Sequence, residues 1–446
     1  MKSRRAPWLR RRLASVAVST YDHLALRGEY GRALEDLRTT ESWAQAVREK
    51  RLRVILEHAT RTVPFYENLA LDINDGLPAF PVVSKEMLRH QGSAFESSVA
   101  RKRGCIWITT SGSTGVPLRI RFDRAKLARR TAEIGFFNGL VGYRLGDRHT
   151  YHSVWSKKGV LRRVLQNQRI SDPTHLDSTW LEREVWSLRK EGISFYVGNT
   201  SALRVLAATV IERGLGPGDF ALRGIVVTSE RLDSETRSLL SRAFGCTVVS
   251  RYSSLETGVL AQECGERGVM HWNDASYYVE ILDANTDQEA TPGTVGRVVV
   301  TDLFARATPL IRYDIGDLAT AALHDCVCNN PGLPVANVEG RVVENVTDSA
   351  GRYISWSAVS TLFWQRQSVE SFQFIQLEHG RYEMLVTGNI DQADIDALRG
   401  GVYKLVGDSA EILIRRVATI PTLPSGKRQY IVNRSRSRRS DGVSRV

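Results

Sequence analysis

Cysteine is scarce in this chain, with five residues among 446. That is too few for a disulfide-built scaffold and points to a reducing, cytoplasmic setting. A chain of this length can instead bury a large apolar core. No apolar run approaches the roughly 18–20 residues that a membrane-spanning helix needs. The stretch Leu13-Ala14-Ser15-Val16-Ala17-Val18 is short and soon followed by Asp22 and His23, so no signal peptide is expected. Acidic residues are outnumbered, 49 against 61 basic, for a formal net charge of +12. Much of the excess is arginine at the two ends, Arg4, Arg5, Arg10, Arg11 and Arg12, then Arg434, Arg436, Arg438 and Arg439. Basic ends can meet anionic membrane or nucleic acid. No stacking aromatics interleave the C-terminal run, so no nucleic-acid partner is expected. The reading is a solvated basic tail, with peripheral membrane contact left open. There is no internal repeat, which excludes a solenoid or propeller.

Hydrophobic spacing supplies the elements. Leu52, Ile55, Leu56, Ala59 and Val63 recur at helical intervals over residues 41–63, and Pro64 ends the run. Helices are also predicted over 125–142, 181–191, 201–213 and 233–243, alternating with short apolar strands at 194–197, 225–228 and 247–250. Such alternation predicts a largely parallel α/β sheet with ligand sites at the carboxyl ends of its strands. Past residue 275 the pattern becomes strand–turn–strand, 277–282 and 297–303. The last hundred residues read as a small α+β set: a hairpin 372–377 and 382–387 across His379-Gly380, a helix 391–399 and a strand 411–417. The fold class is therefore α/β: a large N-terminal domain with mixed, largely parallel sheets and a β unit, and a small α+β C-terminal domain.

Five segments carry residue types suited to nucleotide chemistry. Thr109 to Pro117, Thr-Thr-Ser-Gly-Ser-Thr-Gly-Val-Pro, lies between two strands, at 105–108 and 118–122. Its glycines allow close backbone approach, and its amides and hydroxyls can donate to phosphate oxygens. No Gly-Lys-Ser/Thr follows, so it is not a Walker loop. Tyr252-Ser253-Ser254-Leu255-Glu256-Thr257-Gly258 follows a buried strand, where Glu256 is placed to hold Mg²⁺ or to cap a helix. Arg312-Tyr313-Asp314-Ile315-Gly316-Asp317 offers a carboxylate for ribose hydroxyls, or is a surface turn. Gly340-Arg341 stands at the junction with the small domain. Pro424-Ser425-Gly426-Lys427-Arg428 puts a lysine on a glycine loop, suited to charge stabilisation in nucleotidyl transfer.

In this order and spacing, over residues 105–430, the five segments resemble the adenylate-forming (acyl-CoA synthetase) superfamily. Arg61-Thr62-Val63-Pro64-Phe65-Tyr66 and Thr308-Pro309-Leu310-Ile311-Arg312-Tyr313 are similar to elements of its phenylacetate–coenzyme A ligases and the related capsular polysaccharide biosynthesis proteins. The resemblance implies ATP, Mg²⁺ and coenzyme A as cofactors and a small carboxylic acid as substrate. It implies that Ser111, Gly112, Ser113, Thr114 and Gly115 hold the ATP phosphates. Glu230 and Ser250, Arg251 and Tyr252 would flank the adenine, and Asp317 and Arg341 would bind the ribose. Glu256 would bind Mg²⁺ and Lys427 would promote adenylation. Tyr196 and Gly198 look like part of the acyl pocket. A domain boundary at 341/342 and a mobile C-terminal lid follow from the same likeness. Ser253, Ile315 and Val343 depart from the family's usual Gly, Thr and Asp or Lys. The expected reaction is acyl-AMP formation followed by thioester formation with coenzyme A. Transfer to an amine, sugar or carrier protein, and a non-catalytic nucleotide binder, stay open.

A separate set is Cys264, His271, Cys326 and Cys328. Brought together, the four would make a tetrahedral Cys₃His zinc site, structural because no position is left open. Ordinary scattered cysteines are the other reading.

Overall fold

The computed structural model describes the chain except residues 1–5, 23–25, 101–104, 110–117, 153–165, 174–176, 266–267, 284–285, 322–325, 329, 342–345, 351–353, 355–358, 360–361, 364–365, 367, 421–428 and 436–446. The phosphate-loop segment Ser111 to Gly115 and Lys427 thus lie outside the described residues. No helix of the described residues is long and apolar enough to cross a membrane.

The chain divides into two units. The larger comprises residues 1–232, 237–315 and 319–338, and the smaller residues 233–236, 316–318 and 339–446. The helices used below are α1 (Ala6–Tyr21), α2 (Glu29–Arg38), α3 (Gln45–Thr62), α4 (Lys85–His90), α5 (Arg124–Leu140), α6 (Ser178–Lys190), α7 (Thr200–Glu212), α8 (Ser234–Phe244) and α9 (Gln392–Val406). A two-stranded antiparallel pair, β1 (Ile106–Thr109) and β2 (Arg119–Phe122), flanks the glycine-rich loop segment.

Eleven strands form one sheet. They are β3 (His149–His152), β4 (Gln168–Ser171), β5 (Phe195–Asn199), β6 (Gly224–Thr228), β7 (Thr247–Ser253), β8 (Val259–Glu263), β9 (Met270–Trp272), β10 (Tyr277–Leu282), β11 (Val295–Asp302), β12 (Tyr313–Ala321) and β13 (Pro334–Arg341). Their order is β10-β11-β12-β13-β9-β8-β7-β6-β5-β3-β4. Strands β4, β3, β5, β6 and β7 are parallel neighbours, whereas β7–β8, β8–β9, β9–β13 and β10–β11 are antiparallel. The strand–helix alternation is the parallel half and the strand–turn–strand region is the antiparallel half, joined at β7.

Parallel strands covered on both faces read as continuous apolar runs, and β5–β7 do. On one face Tyr196, Ile225, Val227 and Val248 pack with Leu203, Leu206 and Leu240 of α7 and α8. On the other, Phe195, Val197, Val226 and Val249 pack with Val141, just past the end of α5. The smaller unit has its own core, built on a four-stranded sheet in the order β16-β15-β14-β17: β14 is Ser371–Glu378, β15 Arg381–Thr387, β16 Glu411–Arg416 and β17 Ile431–Asn433. Phe374, Met384, Leu398, Val402 and Val406 are fully buried in it.

Candidate active site and metal centre

Glu256 sits in the short connection between β7 and β8, at the carboxyl end of the last parallel strand. The turn is fixed locally: the Ser254 amide donates to the Gly258 carbonyl (3.1 Å), and Ser254 Oγ accepts from the Thr257 amide (3.2 Å). Glu256 is 5% exposed. Lys85 Nζ donates to its Oε1 at 2.7 Å, and Tyr313 Oη donates at 3.4 Å. Burial pushes the carboxyl upward, but the Lys85 charge and hydrogen bond, together with a backbone amide and the Ser254 hydroxyl, bring the net shift below the ordinary glutamate range. Glu256 is therefore a buried, ionised carboxylate, the donor type that suits a hard divalent cation such as Mg²⁺.

Lys85 is a residue that the sequence reading missed. It opens α4, whose N-cap Ser84 accepts from the Met87 amide. The preceding residue, Val83, bridges to Tyr313 in parallel fashion, with paired backbone hydrogen bonds of 2.9 Å to Arg312 and Asp314. Arg312 reinforces this joint by donating to the Phe80 carbonyl and to Glu280. A lysine 171 positions before its partner leaves no local signal. The only hint was Ser-Lys-Glu after an apolar strand-like run, which reads as a helix start.

The expected nucleotide residues are distributed as follows. The carboxylate of Glu230 accepts from the backbone amide (2.7 Å) and hydroxyl (3.0 Å) of Ser201, so it caps the N-terminus of α7. Ser229 before it has φ +72°, an unusual conformation for a residue with a Cβ. The Ser250 amide donates to Glu263 Oε2 at 2.6 Å, and the Tyr252 ring meets Trp272 edge-on. Asp317 is half-buried in β12, and Arg341 ends β13.

Arg251 is buried and points to the face of β7 opposite Ser250. Its Nε and Nη2 donate to Gln262 Oε1 (2.9 and 2.7 Å), and Nη2 also donates to Asn138 Oδ1 (2.6 Å). Burial brings its guanidinium down to about 10, so it is cationic at neutral pH.

Tyr196 and Gly198, expected in the acyl pocket, lie on the α7–α8 face of β5. Tyr196 is fully buried and donates to Glu184 Oε2 (2.7 Å), which Arg169 grips bidentately (2.7 Å each) and Ser171 also reaches (2.6 Å). His152 Nε2 lies 2.9 Å from the Tyr196 hydroxyl, and its Nδ1 accepts from the Asn199 amide at 3.1 Å. Nδ1 is thus the acceptor, Nε2 carries the proton and the ring is neutral. Gly198 passes directly beneath this ring: a Cβ there would stand 2.7 Å from His152 Nδ1. Gly198→Ala is expected to cost about 1–3 kcal/mol through overpacking, read as a lower urea midpoint.

The network also sets a pH dependence. Burial lowers His152 to about 4, against about 6.5 in an unfolded chain. Between those values the unfolded state binds a proton that the folded state refuses. Stability therefore falls as pH drops from about 6.5 to about 4, by up to about 3 kcal/mol. Arg169 and the other donors hold Glu184 below its usual range despite burial, so its contribution is present above about pH 4.5 and lost below it. Urea midpoints measured from pH 7.5 to 5 should decline, and His152→Gln should flatten that decline.

The cysteine–histidine set does converge. Ligand atoms of Cys264, His271, Cys326 and Cys328 all lie within 4.8 Å of one another, and Cys328 Sγ is 3.2 Å from His271 Nε2. Cys264 follows β8 and begins a tight turn closed by hydrogen bonds with Val269 and Gly268. His271 is in β9, and the other two lie between β12 and β13. His271 Nδ1 donates to the Gly332 carbonyl at 2.9 Å, which leaves Nε2 to act as ligand. Burial first, and the neighbouring thiols second, push the metal-free Cys328 thiol up to about 11. Donor type, number and separation fit one tetrahedral zinc.

No family model matches the chain. Among curated proteins it is 24% identical to a phenylacetate–coenzyme A ligase of Thermus thermophilus over 318 residues, 67% of this chain and 70% of the relative. It is 22% identical to protein CapK of Staphylococcus aureus over 351 residues, 75% of each. Among solved structures it matches 2-hydroxyisobutyryl-CoA ligase in the postadenylation state in complex with 2-HIB-AMP, with TM-score 0.70 and 18% identity over 88% of this chain and 90% of that one. ATP-bound MatB from Rhodopseudomonas palustris matches at TM-score 0.54 and 15% identity, over 72% and 66%. These structural likenesses are likenesses of fold.

Proposed function

We propose that this chain, an adenylate-forming enzyme by fold and a relative of phenylacetate–coenzyme A ligases and CapK, activates a carboxylic acid with ATP and passes the acyl group to coenzyme A. The observation that carries the reading is Glu256: a buried carboxylate, kept ionised by Lys85, at the carboxyl end of a parallel strand within that fold. In the first step an oxygen of the acid's carboxylate bonds to the α-phosphorus. The bond from that phosphorus to the bridging β-phosphate oxygen breaks, and pyrophosphate leaves. In the second step the acceptor thiol bonds to the acyl carbon and gives up its proton as AMP departs.

Glu256 would hold Mg²⁺, whose charge offsets that of the phosphates. Lys85 keeps this carboxylate deprotonated and fixed in direction. Ser111 to Gly115 are assigned the phosphates, Asp317 and Arg341 the ribose, the segments of Glu230 and Ser250 to Tyr252 the adenine, and Lys427 the developing charge at the α-phosphorus. Residues 342–446 are assigned the lid role. Cys264, His271, Cys326 and Cys328 would hold a structural zinc. A reducing, cytoplasmic location suits its free thiols.

A second reading keeps the adenylation but passes the acyl group to an amine, sugar or carrier protein. The likeness to CapK across three quarters of the chain supports it. Pyrophosphate release measured over a panel of carboxylic acids, with and without coenzyme A, tests both. Release that proceeds to AMP and thioester only with coenzyme A supports the first reading. Acid-dependent release with no thioester supports the second, and no release with any acid contradicts both.

A further inference from the structure

The acid is the part of the proposed reaction still without a chemical class, and the buried cations point to one. Four basic side chains are buried among the described residues: Lys126, Arg129, Arg251 and Arg312. Three of them face a carboxylate. Lys126 pairs with Asp302 at 2.5 Å, Arg129 with Asp36, and Arg312 with Glu280 at 3.1 Å. Arg251 has no carboxylate partner among the described residues. Its Nε and Nη2 are held by the neutral amides of Gln262 and Asn138, and Nη1 donates to no described residue. A buried charge ordinarily has a counter-charge, because desolvation without one is costly.

The surroundings of Arg251 are those of a ligand subsite. Strand alternation places Asn199, Thr228 and Arg251 on the same face as Val197, Val226 and Val249, one step nearer the carboxyl ends of β5, β6 and β7. Tyr151, the direct register partner of Val197 across β3 and β5, belongs to this face as well, and it is exposed. The apolar layer of the sheet therefore ends in a polar one at the edge where parallel sheets bind ligands. Asn199 is 8% exposed, and its side-chain amide has no partner among the described residues, not even at the α7 N-cap it occupies. Thr228 and Asn199 are direct neighbours in the ladder. Arg251 is also next to Tyr252 and five residues from Glu256, so an anion bound here lies beside the proposed nucleotide site in sequence and on the same strand.

We propose that Arg251, with Asn199 and Thr228, binds a second carboxylate on the acid being activated, so that the substrate is a dicarboxylic acid rather than a plain aryl or alkyl acid. A guanidinium fork matches a carboxylate in two parallel hydrogen bonds. An acid lacking that group leaves the buried cation without a counter-charge and the Asn199 side-chain amide without a partner among the described residues, an arrangement that discriminates between analogues. The proposal rests on the adenylation reading above and assigns Arg251 to the acid rather than to the adenine.

The test is acid-dependent ATP–pyrophosphate exchange with malonate, succinate, glutarate and phthalate, each against its monocarboxylate counterpart propionate, butyrate, valerate or benzoate. The wild-type protein is expected to favour at least one dicarboxylate by about 10²-fold in kcat/KM. Arg251→Met should collapse that ratio to within a few-fold, and Arg251→Lys should keep part of it. A wild-type preference for the monocarboxylates overturns the proposal, and so does a ratio unchanged in Arg251→Met. If Arg251→Met fails to fold by circular dichroism, Asn199→Ala and Thr228→Val read the same ratio with the cation retained; both leaving it unchanged overturns the proposal. Exchange with no acid at all defeats the adenylation reading itself, whereas exchange that prefers plain acids defeats only this inference.

Discussion

Replacing Lys427 with alanine is expected to cut acid-dependent ATP–pyrophosphate exchange by about 10²–10³-fold while ATP binding persists. Negative charge develops on the α-phosphate oxygens as the acid oxygen adds, and Lys427, next to Gly426 in the sequence, would supply a cation at that stage. An interaction made mainly in the transition state lowers kcat and kcat/KM together and leaves KM for ATP nearly unchanged. Glu256 should behave differently. On the proposed role, Glu256→Gln would remove a ligand for the metal bound with the nucleotide, so KM for Mg-ATP should rise as kcat falls. It also leaves Lys85 facing an uncharged partner in a half-buried site, so part of the loss will be structural. Steady-state exchange kinetics of the two variants separate these roles. Full exchange by Lys427→Ala would remove the lysine from the reaction.

Removing a zinc ion held by the cysteine–histidine set, as proposed, is expected to have the largest effect on stability. The four ligands come from three separate stretches, the end of β8, β9 and the β12–β13 connection. One ion would tie the middle of the large sheet to a connection whose described apolar side chains Val327 and Leu333 are exposed rather than packed. Binding free energy at such a site is folding free energy. A loss of several kcal/mol translates to a drop of roughly 10 °C in the melting midpoint for a unit of this size. Elemental analysis should find about one zinc per chain, and Cys328→Ser and a strong chelator should lower the midpoint alike. Protein that contains no zinc and melts unchanged in chelator contradicts the assignment.

Much of this was legible in the sequence because periodicity carries it. The apolar runs at 225–228 and 247–250 became β6 and β7, and the helical spacing over 41–63 became α3. Where the reading fell short, a tertiary contact had decided the matter. Helix α9 runs through Gly400 and Gly401 to Val406, beyond the expected end at 399. Gly401 is tolerated because Leu362 packs against it: a Cβ there would lie 2.1 Å from Leu362 Cδ1. The segment around Asp317, for which a surface turn was one reading, is a nine-residue strand, β12, whose Gly316 takes φ +81°. Strands β3, β4, β8, β9, β13 and β17 and helices α1, α2 and α4 were not anticipated.

The site divides in the same way. Residue type singled out Glu256 and the cysteine–histidine set as candidates, since carboxylates and thiolates are the common metal-ligand groups. Their partners depend on approach between distant segments, as Lys85 to Glu256 and Gly332 to His271 show. Glu230 carries a carboxylate suited to a nucleotide, yet its side chain caps α7. Nor does spacing reveal that Arg251 alone among the buried cations lacks a carboxylate partner among the described residues, because that depends on what surrounds it.

The most direct test of the account is a single-turnover reaction of the purified chain with Mg-ATP and an acid panel, analysed by mass spectrometry before and after coenzyme A is added. The account predicts an acyl-AMP that accumulates without coenzyme A and is replaced by acyl-CoA and AMP once it is present. ATP hydrolysed to ADP, or recovered intact with every acid, would contradict it.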